Sequence, residues 1–145
     1  MSSEAELERF GLMVGDLSRL WRGKLDQRLK PLGLSQAKWM VIMHLDRSGG
    51  GLVQRELAAR VGIEDPSLAR LLDRMAAGGW IERRESPEDR RCKTVHLTRK
   101  ARTAARRIKD VIDALRRELL ADLSSDDLAH CARVFEAITR RAETI

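Results

Sequence analysis

Between Glu82 and Lys109 the chain carries eleven basic residues and only four acidic ones, although the formal net charge of all 145 residues is just +6. The positive excess therefore sits in one fifth of the chain, and the rest is close to neutral. Guanidinium and ammonium groups in that density bind phosphate-type anions and displace their counterions, a chemistry that needs no nucleophile. A solvated helix face after Thr98 accounts for about half of these charges, but not for Arg83, Arg84, Arg90, Arg91 and Lys93 before it. Other chemistry finds no support. The chain has no GxxxxGK, GxGxxG, HExxH or GxSxG segment, and no nucleophile–base pair is proposed by its spacing, so an enzyme is not expected. Cys92, His96, His130 and Cys131 have the wrong spacing for a zinc finger or ribbon, so neither a metal nor another cofactor is expected.

The basic cluster must be presented by something. Between Gln54 and Met75 the segment QRELAARVGIEDPSLARLLDRM supplies Leu57, Val61, Leu68 and Leu71 as the inner faces of two short helices. Ala58 is small where they cross, and Gly62 can take the positive φ that the turn requires. This is a helix-turn-helix pattern. Asp65 as N-cap and Pro66 at the first helical position start the second helix, and Gly78-Gly79 stops it. With Leu68, Leu71, Leu72 and Met75 inward, Pro66, Ser67, Ala69, Arg70, Asp73 and Arg74 face outward. Such a helix enters the major groove by its amino-terminal part, so Arg70 is set to grip a guanine edge or a phosphate, and Ser67 a phosphate. The competing assignment pairs Arg70 with Asp73 on a solvated face.

Trp80–Arg84 and Thr94–Thr98 alternate with β character around ESPEDRRCK, which predicts a hairpin with a charged tip. A helix-turn-helix followed by this hairpin is a winged helix. Arg90 and Arg91 have the length and charge for an electronegative minor groove, and Lys93 suits a phosphate. Asp89 by itself would repel DNA, so it either orients an arginine or ties the turn through the backbone.

Around this middle lie longer helices. From about Glu4 to Lys30, Phe10, Met13, Val14, Leu17, Leu20, Trp21, Leu25 and Leu29 form one apolar stripe that Pro31 ends. Ser35 caps a helix through Trp39, Val41, Ile42 and Leu45 to Gly49-Gly50-Gly51. Thr98 caps another, carrying Ile108, Ile112 and Leu115, and Ser124 with Asp127 opens a last one bearing Leu128, Cys131, Phe135 and Ile138. The terminal stripes exceed what so small a middle can cover, which predicts a two-fold homodimer; a monomeric bundle is the alternative. The fold class is thus mainly α with a small β-hairpin wing. Residues 1–34 and 99–145 are expected to be dimerisation helices, and 35–98 the winged helix-turn-helix, in one intertwined domain.

Composition narrows the field further. With 3% aromatics, no Tyr and three Pro, the chain is too poor in β-formers for a sandwich, and 34% charged residues alongside 43% hydrophobic ones argue for a folded chain. The longest apolar run, Trp39 to Met43, is far short of the roughly 20 residues that cross a bilayer. Two cysteines fit a reducing cytoplasm and two free thiols.

The segments LGLSQAKWMVIMHL, QRELAARVGIEDPSLARLLDRM and WIERRESPEDRRCKTVHLT resemble the MarR family of bacterial transcriptional regulators, and GIEDPSL with DRRCK is most similar to its SlyA branch. The resemblance spans Leu32 to Thr98. It implies a cytoplasmic, nucleoid-associated homodimer that binds pseudo-palindromic double-stranded promoter DNA as a repressor or as the antagonist of another DNA-binding protein. By position, Ser67 and Arg70 match the family's recognition helix, and Asp89, Arg90 and Arg91 its wing. The resemblance also implies release from DNA by a small aromatic acid or phenol, for which Trp21, Trp39 and His44 are the candidate contacts. Cys92 stands where relatives usually have a small residue, so modification of its thiol is a further candidate for control. A non-specific architectural or RNA-binding winged helix is the alternative function.

Overall fold

The computed structural model describes residues 1–145. Helix α1 (Glu4–Leu29) is opened by a capping box in which Ser3 and Glu6 satisfy each other's backbone N–H. Proline cannot extend the hydrogen-bond ladder, and the chain leaves α1 through a single 3-10 turn, Lys30–Leu32, that contains Pro31. Ser35 caps α2 (Gln36–Ser48) by accepting from Lys38 N–H, and α2 ends at Gly49 with φ +68°. Strand β1 (Leu52–Val53), α3 (Gln54–Val61) and α4 (Asp65–Ala77) follow, then β2 (Ile81–Glu85), β3 (Lys93–Leu97), α5 (Arg99–Leu119) and α6 (Ser125–Ala142). The fold is mostly helical with one small antiparallel sheet of order β1-β3-β2.

Two expectations are corrected. The N-cap of α4 is Glu64, whose backbone is extended (φ −64°, ψ 145°), and no side chain caps the helix. Asp65 is already helical, so it contributes through the positive end of the helix dipole instead of as a cap. The wing also has a third strand: β1 pairs Leu52 with Val95 and gives β3 a partner on both edges.

The chain divides into two compact units, Met1–Asp113 and Ala114–Ile145. In the first, Leu29, Ile42, Leu57, Leu68, Leu72, Met75, Val95 and Ile108 are all but inaccessible to solvent. Removing each such side chain from water contributes roughly 1.5–3 kcal/mol, which is what holds the helix-turn-helix against the sheet. The same unit leaves Phe10, Met13, Val14, Leu17 and Leu20 of α1 exposed. In the second unit, Ser124 and Asp127 form the expected capping box, and α6 buries none of its residues: Leu128, Phe135 and Ile138 face solvent.

Candidate nucleic-acid interface

The outer edge of α4 is the first component. Leu68, Leu71, Leu72 and Met75 recur at helical spacing and are buried, so the same period turns Pro66, Ser67, Arg70, Asp73 and Arg74 to solvent. Arg70 Nη2 lies 3.4 Å from Ser67 Oγ one turn earlier, which brings these two side chains together. The proposed Arg70–Asp73 pair does not form. Asp73 Oδ1 instead accepts from Arg83 Nη2 of β2 at 2.8 Å, because residue 83 shares the inward sheet face with Ile81 and Val95.

The wing is the second component. Ser86 N–H donates to Cys92 O at 2.9 Å and Cys92 N–H to Asp89 O at 3.0 Å, closing the tip. Of the two roles open to Asp89, the geometry takes the backbone one: Asp89 Oδ1 accepts from Arg91 N–H at 2.9 Å. Arg90 and Arg91 are exposed and engaged by no carboxylate, so the tip presents two free guanidiniums. Lys93 is exposed at the start of β3, opposite Glu85. Cys92 is exposed and free, as is Cys131.

The outward sheet face has its own electrostatics. Arg84 Nε donates to Glu82 Oε1 at 2.9 Å, and that hydrogen bond, then the charge of Arg84, holds the Glu82 carboxyl below its usual range. His96 shares a short 2.7 Å contact with Thr94 Oγ1, and its ring fills the space where Gly51 has no side chain. Burial, reinforced by the charge of Arg84 and opposed by Glu82, lowers the His96 pKa. Beside it is a cavity of about 310 Å³ lined by Leu45, Asp46, Gly49, Gly50, Arg84, His96, Leu97 and Arg102.

Of the three candidate ligand contacts, Trp21 is half-buried on α1. Trp39 is buried and its Nε1–H donates to Asp26 Oδ1 at 2.9 Å, joining α2 to the end of α1. His44 is half-buried; burial and then the charges of Arg47, Arg60 and Arg22 lower its pKa.

The MarR family matches this sequence over residues 32–91, which runs from the end of the 3-10 turn to the wing tip. The chain is similar to the crystal structure of the transcriptional regulator PA3341 with a TM-score of 0.88, at 40% identity over 94% of this chain and 99% of that one. This chain belongs to the MarR family. Its architecture is the winged-helix fold of MarR transcriptional regulators. The reduced form of MarR from E. coli is similar at 25% identity, TM-score 0.74, over 88% of this chain and 94% of that one. Likeness of fold alone extends to a cysteine-to-serine mutant of MarR from E. coli complexed with operator DNA, with TM-score 0.79, 23% identity, and coverage of 95% and 99%. No helix of this MarR-family chain is long and apolar enough to cross a membrane.

Proposed function

We propose that this protein is a homodimeric, sequence-specific DNA-binding transcriptional regulator, acting as a repressor or as the antagonist of another DNA-binding protein. The observation that carries the reading is the pairing of an exposed Ser67–Arg70 edge with two uncommitted guanidiniums, Arg90 and Arg91, on one pinned scaffold. A helix edge reads the major groove while arginines on a wing suit the minor groove, and Arg74 and Lys93 add phosphate contacts. The GIEDPSL and DRRCK segments support a position near the SlyA branch. Residues 35–98 then form the reading module, and 1–34 with 99–145 the dimerisation helices of a cytoplasmic, nucleoid-associated protein.

The exposed stripes support two-fold assembly: Phe10, Val14 and Leu17 on α1, and Phe135 and Ile138 on α6, are each between 44% and 54% exposed. Apolar surface so concentrated on two helices favours burial against a second copy. Light scattering should give the wild type twice the mass of one chain and the Leu17→Glu, Phe135→Glu double variant half of that; a monomeric wild type would remove the dimer, and a variant that keeps the dimer mass would remove these stripes as its interface. A releasing ligand, a small aromatic acid or phenol, is assigned to Trp21, Trp39 and His44. The three arginines around His44 favour its carboxylate.

Selection from a random-sequence duplex pool tests the whole reading. It should enrich an inverted repeat whose half-sites are about 34 Å, one helical turn, apart. Enrichment of no sequence would leave the architectural alternative instead.

A further inference from the structure

Two links of the chain cross at the foot of the wing. Gly78 closes α4, and Gly79, at φ +76°, turns the backbone into Trp80 and β2. The Thr98 hydroxyl, between β3 and α5, lies 2.6 Å from Gly79 O and 3.2 Å from Trp80 O, and it accepts from Ala101 N–H at 3.3 Å. Thr98 N–H also donates to Trp80 O at 3.2 Å. In the first turn of α5, Lys100 Nζ donates to Gly78 O at 2.9 Å and stands 4.1 Å from the centroid of the Trp80 ring.

We propose that Thr98 and Lys100 are positioning residues for DNA recognition: they fix the direction of α4 relative to the wing and α5, and they touch no DNA. The last carbonyls of a helix lack intrahelical donors and carry its negative partial charge, so an ammonium group bound there is held by hydrogen bond and dipole together. The indole face beneath it adds a cation–π attraction. Lys100 therefore spends its charge inside the joint, although by sequence it belongs to the basic cluster. The joint matters because α4 is a lever. Its 13 residues span about 20 Å and Ser67 lies about 16 Å from Gly78, so a tilt of ~10° there carries Ser67 through ~3 Å, close to one base-pair step. Losing the clasp thus misaligns Arg70 with the wing tip without removing either contact.

The inference rests on the proposed function, and its test separates the two. The probes are a duplex enriched by the full-length wild-type protein from a random pool and its shuffled counterpart, titrated at several salt concentrations. Lys100→Met should bind the enriched duplex about tenfold more weakly, bind the shuffled duplex as wild type does, and keep the wild-type salt slope. Lys100→Arg, which keeps the cation and a donor, should restore binding. Thr98→Val should behave like Lys100→Met, and Thr98→Ser like wild type. Lys100 is exposed, so its replacement spares the core; were Lys100→Met unfolded by thermal melting, Lys100→Gln is titrated with the same expectations. If affinity for both duplexes falls equally and the salt slope drops by about 1, Lys100 is a phosphate contact and the proposal is wrong. Unchanged affinity for both is equally fatal. A wild-type protein that enriches no sequence at all would instead sink the reading beneath it, and the clasp with it.

Discussion

Asp73 and Arg83 join the outer edge of α4 to the inner face of β2 through a 2.8 Å ion pair, so the helix proposed to read DNA and the wing beside it are tied directly. The pair also disposes of a carboxylate that would otherwise face phosphate, and it leaves Arg70 with only a 3.4 Å neighbour in Ser67. Because the Asp73 side chain is 70% exposed, the pair is worth little in stability, on the order of 0.2–1 kcal/mol. Its larger effect is on discrimination. Asp73→Asn should raise affinity for shuffled DNA by removing a negative charge, and lower the ratio of operator to shuffled binding by freeing Arg83. Fluorescence anisotropy with both duplexes measures this; an unchanged ratio would mean that the tie does not orient the helix.

Arg70 and the wing arginines should fail in different ways. Arg70→Ala is expected to lose about 1–3 kcal/mol on the operator and to relax preference at one position in each half-site. Arg90→Ala with Arg91→Ala should weaken operator and shuffled duplexes alike and flatten the salt slope by roughly 2. Titration of both proteins against single-base operator variants distinguishes the patterns, and full operator affinity in both would overturn the assignment of these surfaces.

Gly51 and His96 share one space on the sheet. A Cβ on Gly51 would lie well inside contact distance of the His96 ring, so Gly51→Ala must displace the ring from its seat against Thr94. Overpacking of this kind costs about 1–3 kcal/mol. Urea unfolding should show that loss in Gly51→Ala and recover most of it in the Gly51→Ala, His96→Ala double variant. Additive losses in the double variant would show that the two residues do not collide.

The two histidines set an acid limit. His44 and His96 both have folded-state pKa values below the ordinary 6.5, each chiefly through burial and secondarily through nearby arginines. The unfolded chain therefore takes up protons at these positions before the folded one does. Stability is unaffected above pH 6.5, declines as pH falls from there toward the folded-state values, and levels off below them. Melting temperatures between pH 8 and pH 5 should fall less in His44→Asn, His96→Asn than in wild type; parallel curves would contradict the assignment.

The sequence made the helices and the exposed edge of α4 legible because both depend on local signals. The 3.6-residue period of Leu68, Leu71, Leu72 and Met75 exposes Ser67 and Arg70 whatever the rest of the chain does. Gly62 takes a φ of +77°, as the turn required. What stayed hidden involved partners distant in sequence or signals of equal strength. An acidic residue before proline reads as an N-cap or as a first-turn residue, and Asp65 proved to be the second. Strand β1 has only two residues and exists because β3 offers it an edge. The Asp73–Arg83 tie crosses ten positions between a helix and a strand, and Lys100, one of eleven basic residues by composition, is engaged at a helix end 22 positions away. The Trp39–Asp26 hydrogen bond likewise joins residues 13 positions apart on α2 and α1.

The central claim is that this protein discriminates among DNA sequences. The most direct measurement is a titration of the purified protein, at two salt concentrations, against DNA from upstream of its own gene or enriched by selection, and against a shuffled duplex of equal length. The account predicts a preference of ~10³-fold or more that survives the higher salt. Equal affinities that collapse together as salt rises would contradict it, because binding would then come from the charge cluster alone.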